Sequence, residues 1–329
     1  MQIFTAALMI ALSVVVVVTR RPGKDTSILW ASVLISISLI FNVDSVYVVV
    51  DQLLYGRNYA DLGANVLLLV GVYFLARAIH RAARPLPVLG HSKSPRVLGK
   101  SGVMVAASAA AAFFSLIDAP ITSTAFMMQY GAQPAAALYS AVQYVYIGAV
   151  MAAAGWTCLR FRKSWSTGNY KTAFALVGMG CLSAVLLVVD VLALDTMHVL
   201  GELQAMAKLS GLYGALNAAT FTLLCTGLAL PPARRKILSI YEASRINSML
   251  AELDPVWKLA IAGNAGVTLD FAVVPERPHR RRRELHRMIV EIQDSLVRDP
   301  GSRKRIGRDG LDKLARATRY LERQSWRSR

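Results

Sequence analysis

Asp44, Tyr47 and Asp51 recur at i, i+3 and i+7, a spacing that puts two carboxylates and a phenol on one side of a helix. They fall at the end of the apolar run Ser27 to Val50, which is long enough to cross a bilayer. An ionisable group in hydrocarbon is costly, so Asp44 reads as a proton or cation carboxylate. The alternative is a structural aspartate bonded to a neighbour such as Gln143 or Asn217. Ser38, Asn42 and Ser45 form a second polar stripe, so the run is expected to be surrounded by protein. Asp190 lies 17 residues after Ala173, as Asp44 lies 17 after Ser27. This predicts a parallel internal repeat with the two acids facing each other, against coincidence as the alternative.

Asp195, His198 and Glu202 repeat the i, i+3, i+7 spacing and could ligate a metal if their segment is helical. The three cysteines, Cys158, Cys181 and Cys225, lie inside apolar runs and read as buried core residues. The chain contains no HExxH, GxSxG, Walker A or GxGxxG string. No lysine stands near the centre of an apolar run to anchor a retinal. An enzyme is therefore not expected, nor a cofactor. Arg280, Arg281, Arg282 and Arg283, with Arg277 and Arg287, form a basic cluster without a nucleic-acid-reading motif. Beside a membrane, such a cluster is drawn to anionic lipid heads by about 1 kcal/mol per basic residue.

The elements that must position these residues are all helical. The chain has 329 residues, 55% of them hydrophobic, with the apolar residues in long blocks. Runs of this length without period-two alternation cannot be strands, because lipid does not tolerate unpaired backbone. The expected fold is all-α, a polytopic membrane protein with seven spans. These are Ile3 to Thr19, Ser27 to Val50, Leu62 to Ile79, Ser101 to Ile117, Pro134 to Leu159, Thr172 to Leu194 and Leu209 to Leu230. Met1 to Thr19 reads as a membrane helix rather than a cleaved leader.

Basic residues mark alternate loops. Arg20, Arg21 and Lys24 fall in the first, Arg77 to Lys100 in the third, and Arg160 to Lys171 in the fifth. The other loops hold only Arg57 and Lys208. The positive-inside rule then places the N-terminus outside and the C-terminal region in the cytoplasm. Asp44, Asp51, Asp61, Asp118, Asp190, Asp195 and Glu202 gather toward the outer face, which would concentrate cationic solutes. The alternative is a solvated acidic rim. The alanine-rich run Ala106 to Ala112 predicts a tightly packed central helix, and Ser210 and Gly214 form a small-xxx-small pair.

Charge divides the chain into a membrane domain, 1–230, and a basic helical domain, 231–329. The last 99 residues hold 22 of the 37 Lys and Arg residues. Pro231-Pro232 is expected to break or kink the seventh span. Helices are expected over Ala233 to Leu253, from Asp254-Pro255 onward, over His279 to Val297, and around Leu311, Leu314 and Leu321. Leu285, Met288, Ile289, Ile292 and Leu296 share one stripe of the third. Leu269 to Val274 reads as an extended connection.

Three strings carry a resemblance: YGAQPAAALYSAVQYVYIGA (Tyr130 to Ala149), LDPVWKLA (Leu253 to Ala260) and LHRMIVEIQDSL (Leu285 to Leu296). They resemble an actinobacterial family of seven-helix membrane proteins named as transporters, with a C-terminal domain of unknown function. The matching positions are Tyr130, Gln133, Pro134, Pro255, Trp257, Glu291, Ile292 and Asp294. The resemblance implies a transporter in the cytoplasmic membrane handling a small solute or cation. Beside it, Glu291 and Asp294 next to Ile292 read as a packing helix with a polar contact face toward Trp257, and Trp257, Glu291 and Asp294 with Arg280 to Arg283 are the expected contacts for a partner or lipid. The alternative is a membrane sensor whose cytoplasmic domain engages a soluble regulatory partner; no nucleic-acid partner is expected.

Overall fold

The computed structural model describes residues 2–19, 26–83, 99–161, 168–262 and 280–327. Every regular element among them is a helix: α1 (Gln2–Thr19), α2 (Ser27–Phe41), α3 (Asp44–Leu53), α4 (Tyr59–Ala83), α5 (Lys100–Phe114), α6 (Phe126–Tyr130), α7 (Pro134–Phe161), α8 (Gly168–Val199), α9 (Leu203–Ile261), α10 (Arg280–Arg298) and α11 (Gly301–Arg327). Four of them, α4, α7, α8 and α9, are long and apolar enough to cross a membrane. The bent pair α2 and α3 makes a fifth if it is one broken span. Two further apolar helices, α1 and α5, are shorter. The basic residues Arg20, Arg21, Lys24, Arg84, Lys93, Arg96, Arg162 and Lys163, and the connection Leu269 to Val274, lie outside the described residues.

The expected single helix over Ser27 to Val50 is two helices bent by 89°. Helix α2 stops at Asn42, whose side-chain amide donates to Ser38 O at 3.0 Å. Val43 is extended, and α3 starts at Asp44. Side-chain bonding of this kind competes with the helical ladder and ends it locally.

The chain forms two compact units, Met1–Arg234 and Arg235–Arg329. The first is held by a core that includes Leu69, Val72, Val150, Met151, Cys181 and Leu224. Glycines let its helices approach closely. A Cβ on Gly227 of α9 would lie 2.9 Å from Val177 N of α8, and one on Gly180 of α8 would meet Leu224 of α9 at 2.8 Å. The expected small pair of α9 does not make this contact: Ser210 is exposed. Nor is α5 central. It buries one stripe, Val103, Ala106, Ala110 and Phe114, while Met104 and Val105 stay exposed.

Helix α9 runs through Pro231 and Pro232 without the expected break. The two prolines remove the donors that would reach Gly227 O and Leu228 O, a loss that apolar helices accommodate by local adjustment. Nor does a new helix start at Asp254-Pro255, since α9 includes both.

The second unit packs the end of α9 against α10 and α11. The expected α10 stripe is its centre: Leu285 and Ile292 are fully buried, with Met288 and Ile289 beside them. Ser295 Oγ donates to Ala260 O at 2.7 Å, tying α10 to α9. Asp299 opens α11 by accepting from Gly301 N at 2.8 Å and Arg305 Nη2 at 2.6 Å. The Arg305 bond, followed by the Gly301 amide, holds its carboxyl below the usual range. Gly307, with φ +68°, kinks α11 in a conformation other residues rarely adopt.

Candidate functional site

Two carboxylates flank the start of α4. Asp51, at the end of α3, is fully buried. Its Oδ2 accepts from Asn58 N at 3.0 Å and Thr122 Oγ1 at 2.6 Å, and its Oδ1 accepts from Ala60 N at 3.2 Å. Asn58, also fully buried, has the left-handed φ of 62° that Asn tolerates. Its Oδ1 accepts from Tyr47 Oη at 3.0 Å and Ser123 N at 2.7 Å, and its Nδ2 donates to Ile121 O at 2.9 Å. This polar knot joins α3, the α3–α4 turn and the segment before α6. Tyr130 Oη adds a bond to Ile121 O at 2.8 Å, and Gln133 bonds the backbone of Asp118 from both ends of its amide. Tyr130 and Gln133, which carry the sequence resemblance, are thus anchors of this segment. Pro134 starts α7, where its missing N–H has no ladder partner to lose.

Asp61, in the first turn of α4, is placed differently. Its Oδ2 accepts from Tyr139 Oη at 2.7 Å and Asn65 Nδ2 at 3.0 Å. Its Oδ1 makes no hydrogen bond among the described residues. Asp61 lines a chamber of about 610 Å³ between α1, α2, α4, α7, α8 and α9. The wall is graded along α4, α7 and α9. On α4, Asp61 and Asn65 give way to Leu68, Val72 and Leu75. On α7, Tyr139, Ser140, Gln143 and Tyr144 precede Ile147 and Met151. On α9, Tyr213, Asn217 and Thr220 precede Leu224 and Leu228. Tyr144 and Tyr213 interact through their hydroxyls across the polar end. A stack of Phe114, Phe126 and Tyr139 packs beside it, with Phe126 and Phe114 centroids 5.9 Å apart. The volume suits a small organic ligand, and the few polar groups converge at one end, as in ligand sites.

The residues singled out by spacing divide among several places. Asp44 is exposed in the first turn of α3, where an acid answers the positive end of the helix, and is not inside a continuous span. Tyr47 and Asp51 belong to the knot, where Tyr47 donates to Asn58 Oδ1 and Asp51 accepts from Asn58 N. Asp190 sits within the unbroken α8, so it is not equivalent to Asp44 beyond its bend. Asp190 is 5% exposed, and neither of its oxygens has a hydrogen-bond partner among the described residues.

Asp195 accepts from Ser140 Oγ at 2.5 Å, while His198 packs against Gly131. Helix α8 ends at Val199 and Gly201 turns the chain with φ +77°, which leaves Glu202 outside the helix and off the expected face. No group of three His, Cys, Asp or Glu side chains fit to hold a metal occurs among the described residues.

In the second unit Trp257 Nε1 donates to the buried Glu291 Oε2 at 2.5 Å. Asp294 is exposed and not part of that contact. Arg280 is the first residue of α10. Arg281 donates to Asn247 Oδ1 at 2.7 Å; Arg282 is half-buried and Arg283 exposed. Sequence reasoning named Asp61 only among the acids of one face and passed over Asn58, Asn65, Thr122 and Tyr139. The available signal was Asp61 and Asn65 at i, i+4 on the opening turn of an apolar run. Comparison of the chain with protein-family models, curated proteins and solved structures finds no match.

Proposed function

We propose that the chain is a seven-pass protein of the cytoplasmic membrane that carries a small solute with a cationic or hydrogen-donating head and an apolar body. The carrying observation is the unpartnered Oδ1 of Asp61 in a chamber polar at one end and apolar along the rest. A lone carboxylate acceptor in a low-dielectric wall favours a head group that can donate a hydrogen bond, and a positive one over a neutral one. Four long helices and the bent pair supply up to five candidate spans, and this reading counts the two shorter apolar helices as two more. The basic odd-numbered loops orient them with the N-terminus outside and Arg235–Arg329 in the cytoplasm. The resemblance to the transporter family points the same way. Asp190, buried without a partner, is the second carboxylate in this reading and a place for a coupling proton or cation.

The test uses hexylamine and hexanol as probes of the purified protein in detergent. Calorimetry is expected to show tighter binding of the amine, and Asp61→Asn to remove that preference; an amine preference kept by the variant overturns the reading. Flux of the amine into proteoliposomes then tests transport itself.

A sensor is the second reading, favoured by the separate buried core of Arg235–Arg329. In it, that unit passes a signal from the chamber to a soluble cytoplasmic regulator. Removal of 235–329 separates the two: a transporter keeps flux, and a sensor loses its output.

A further inference from the structure

We infer that the second unit carries a binding site for an anionic, phosphate-bearing ligand, in the cleft between α9 and α11. The cleft has a volume of about 720 Å³, in the range of ligand pockets. Five cations line it, Arg245 from α9 and Lys313, Arg316, Arg319 and Arg323 from α11, against one acid, Glu252. Arg316, Arg319 and Arg323 recur at i, i+3 and i+7, on successive turns of one helix. Like charges so placed repel one another and weaken the helix unless an anion answers them.

The acids present do not answer them all. Lys313 pairs with Asp309 at 2.6 Å and Arg316 with Glu252 at 3.5 Å. Among the described residues Arg319 and Arg323 have no acidic partner, and Arg319 donates only to Ala315 O of its own helix. Arg245 is held with its guanidinium 5.0 Å from the centre of the Tyr320 ring, a cation–π contact that fixes its place at the cleft. The lining also includes the apolar Met249, Leu253 and Ala317, the last two almost fully buried. Guanidinium forks match phosphate oxygens two at a time, which makes a phosphoryl group a better occupant than a single carboxylate. The phosphate could be that of a soluble compound or of an anionic lipid head.

The experiment uses the full chain in phosphatidylcholine nanodiscs, titrated with pyrophosphate and with ATP, and in nanodiscs that also contain phosphatidylglycerol. Binding is expected in the first. The double variant R319Q/R323Q should lose it by roughly tenfold or more, as charge-assisted bonds to phosphate are lost. A control, R303Q/K304Q, removes the same charge from exposed positions outside the cleft and should leave affinity unchanged. Binding displaced by phosphatidylglycerol assigns the lipid head, and binding that persists assigns a soluble phosphate compound; either supports the site. No binding of any of the three, or equal losses in the two double variants, overturns it. Asp61→Asn should leave all of these values as they are, which keeps this test separate from that of the chamber.

Discussion

Asp51 and Asp61 stand ten residues apart, one just before α4 and one in its first turn. Around Asp51 both carboxylate oxygens accept hydrogen bonds from within the knot. Around Asp61 one oxygen is held by Tyr139 and Asn65, and the other accepts no hydrogen bond among the described residues, in a side chain that lines the chamber. A saturated buried acid fixes the backbone around it, because removing it strands several donors at once. An unsaturated one leaves part of its bonding capacity for something that is not protein. The two are also joined: Asp51 accepts from the amide of Ala60, the residue before Asp61, so the knot sets where the chamber's acid stands.

The strongest way to break this contrast is Asp51→Ala. It strands the amides of Asn58 and Ala60 and the Thr122 hydroxyl, at an expected cost of about 3 kcal/mol. Thermal unfolding in detergent should show it as a large drop in midpoint, and a change as small as that of a surface substitution would remove the knot's structural role. Next is Asp61→Asn, which keeps an acceptor for Tyr139. Its stability should stay within about 1 kcal/mol of the parent, while hexylamine affinity falls roughly tenfold, about 1.4 kcal/mol. The reverse pattern would make Asp61 a second Asp51.

Two hydroxyl deletions sharpen the comparison further. Tyr47→Phe leaves the fully buried Asn58 Oδ1 with one donor fewer and should cost about 1 kcal/mol of stability with amine affinity unchanged. Tyr139→Phe should move stability less, because Asn65 still serves the same oxygen of Asp61. Its effect should be read in amine affinity by calorimetry. Equal shifts in both quantities for both variants would erase the distinction between the two regions.

Much of this architecture is legible in the residues. Long apolar runs announce helices of membrane length, and the α10 stripe announces its buried face. Trp257 opposite Glu291 is read from the polar face of that same helix, and the two form a hydrogen bond. The bend after α2 is harder to read, because the run Ile28 to Val50 contains neither Pro nor Gly. Its only marks are Asn42, which bonds back to Ser38, and Asp44, which suits a helix start. Pro231-Pro232 misleads in the opposite sense, since two lost donors do not end α9, which continues to Ile261. The chamber is least legible of all: Asp61 meets Tyr139 across 78 residues, and no periodicity within either helix encodes that meeting.

The break at Asn42 has an electrical consequence. Where α2 stops, its carbonyl end lies at the polar end of the chamber, with Ser38, Leu39 and Asn42 in the wall. Such an end carries roughly half a negative elementary charge. The positive start of α3 lies beyond the bend, with Asp44 already in its first turn. A positive head group held at Asp61 thus meets a second source of negative potential. It belongs to the backbone, and side-chain substitution at Asp61 leaves it in place.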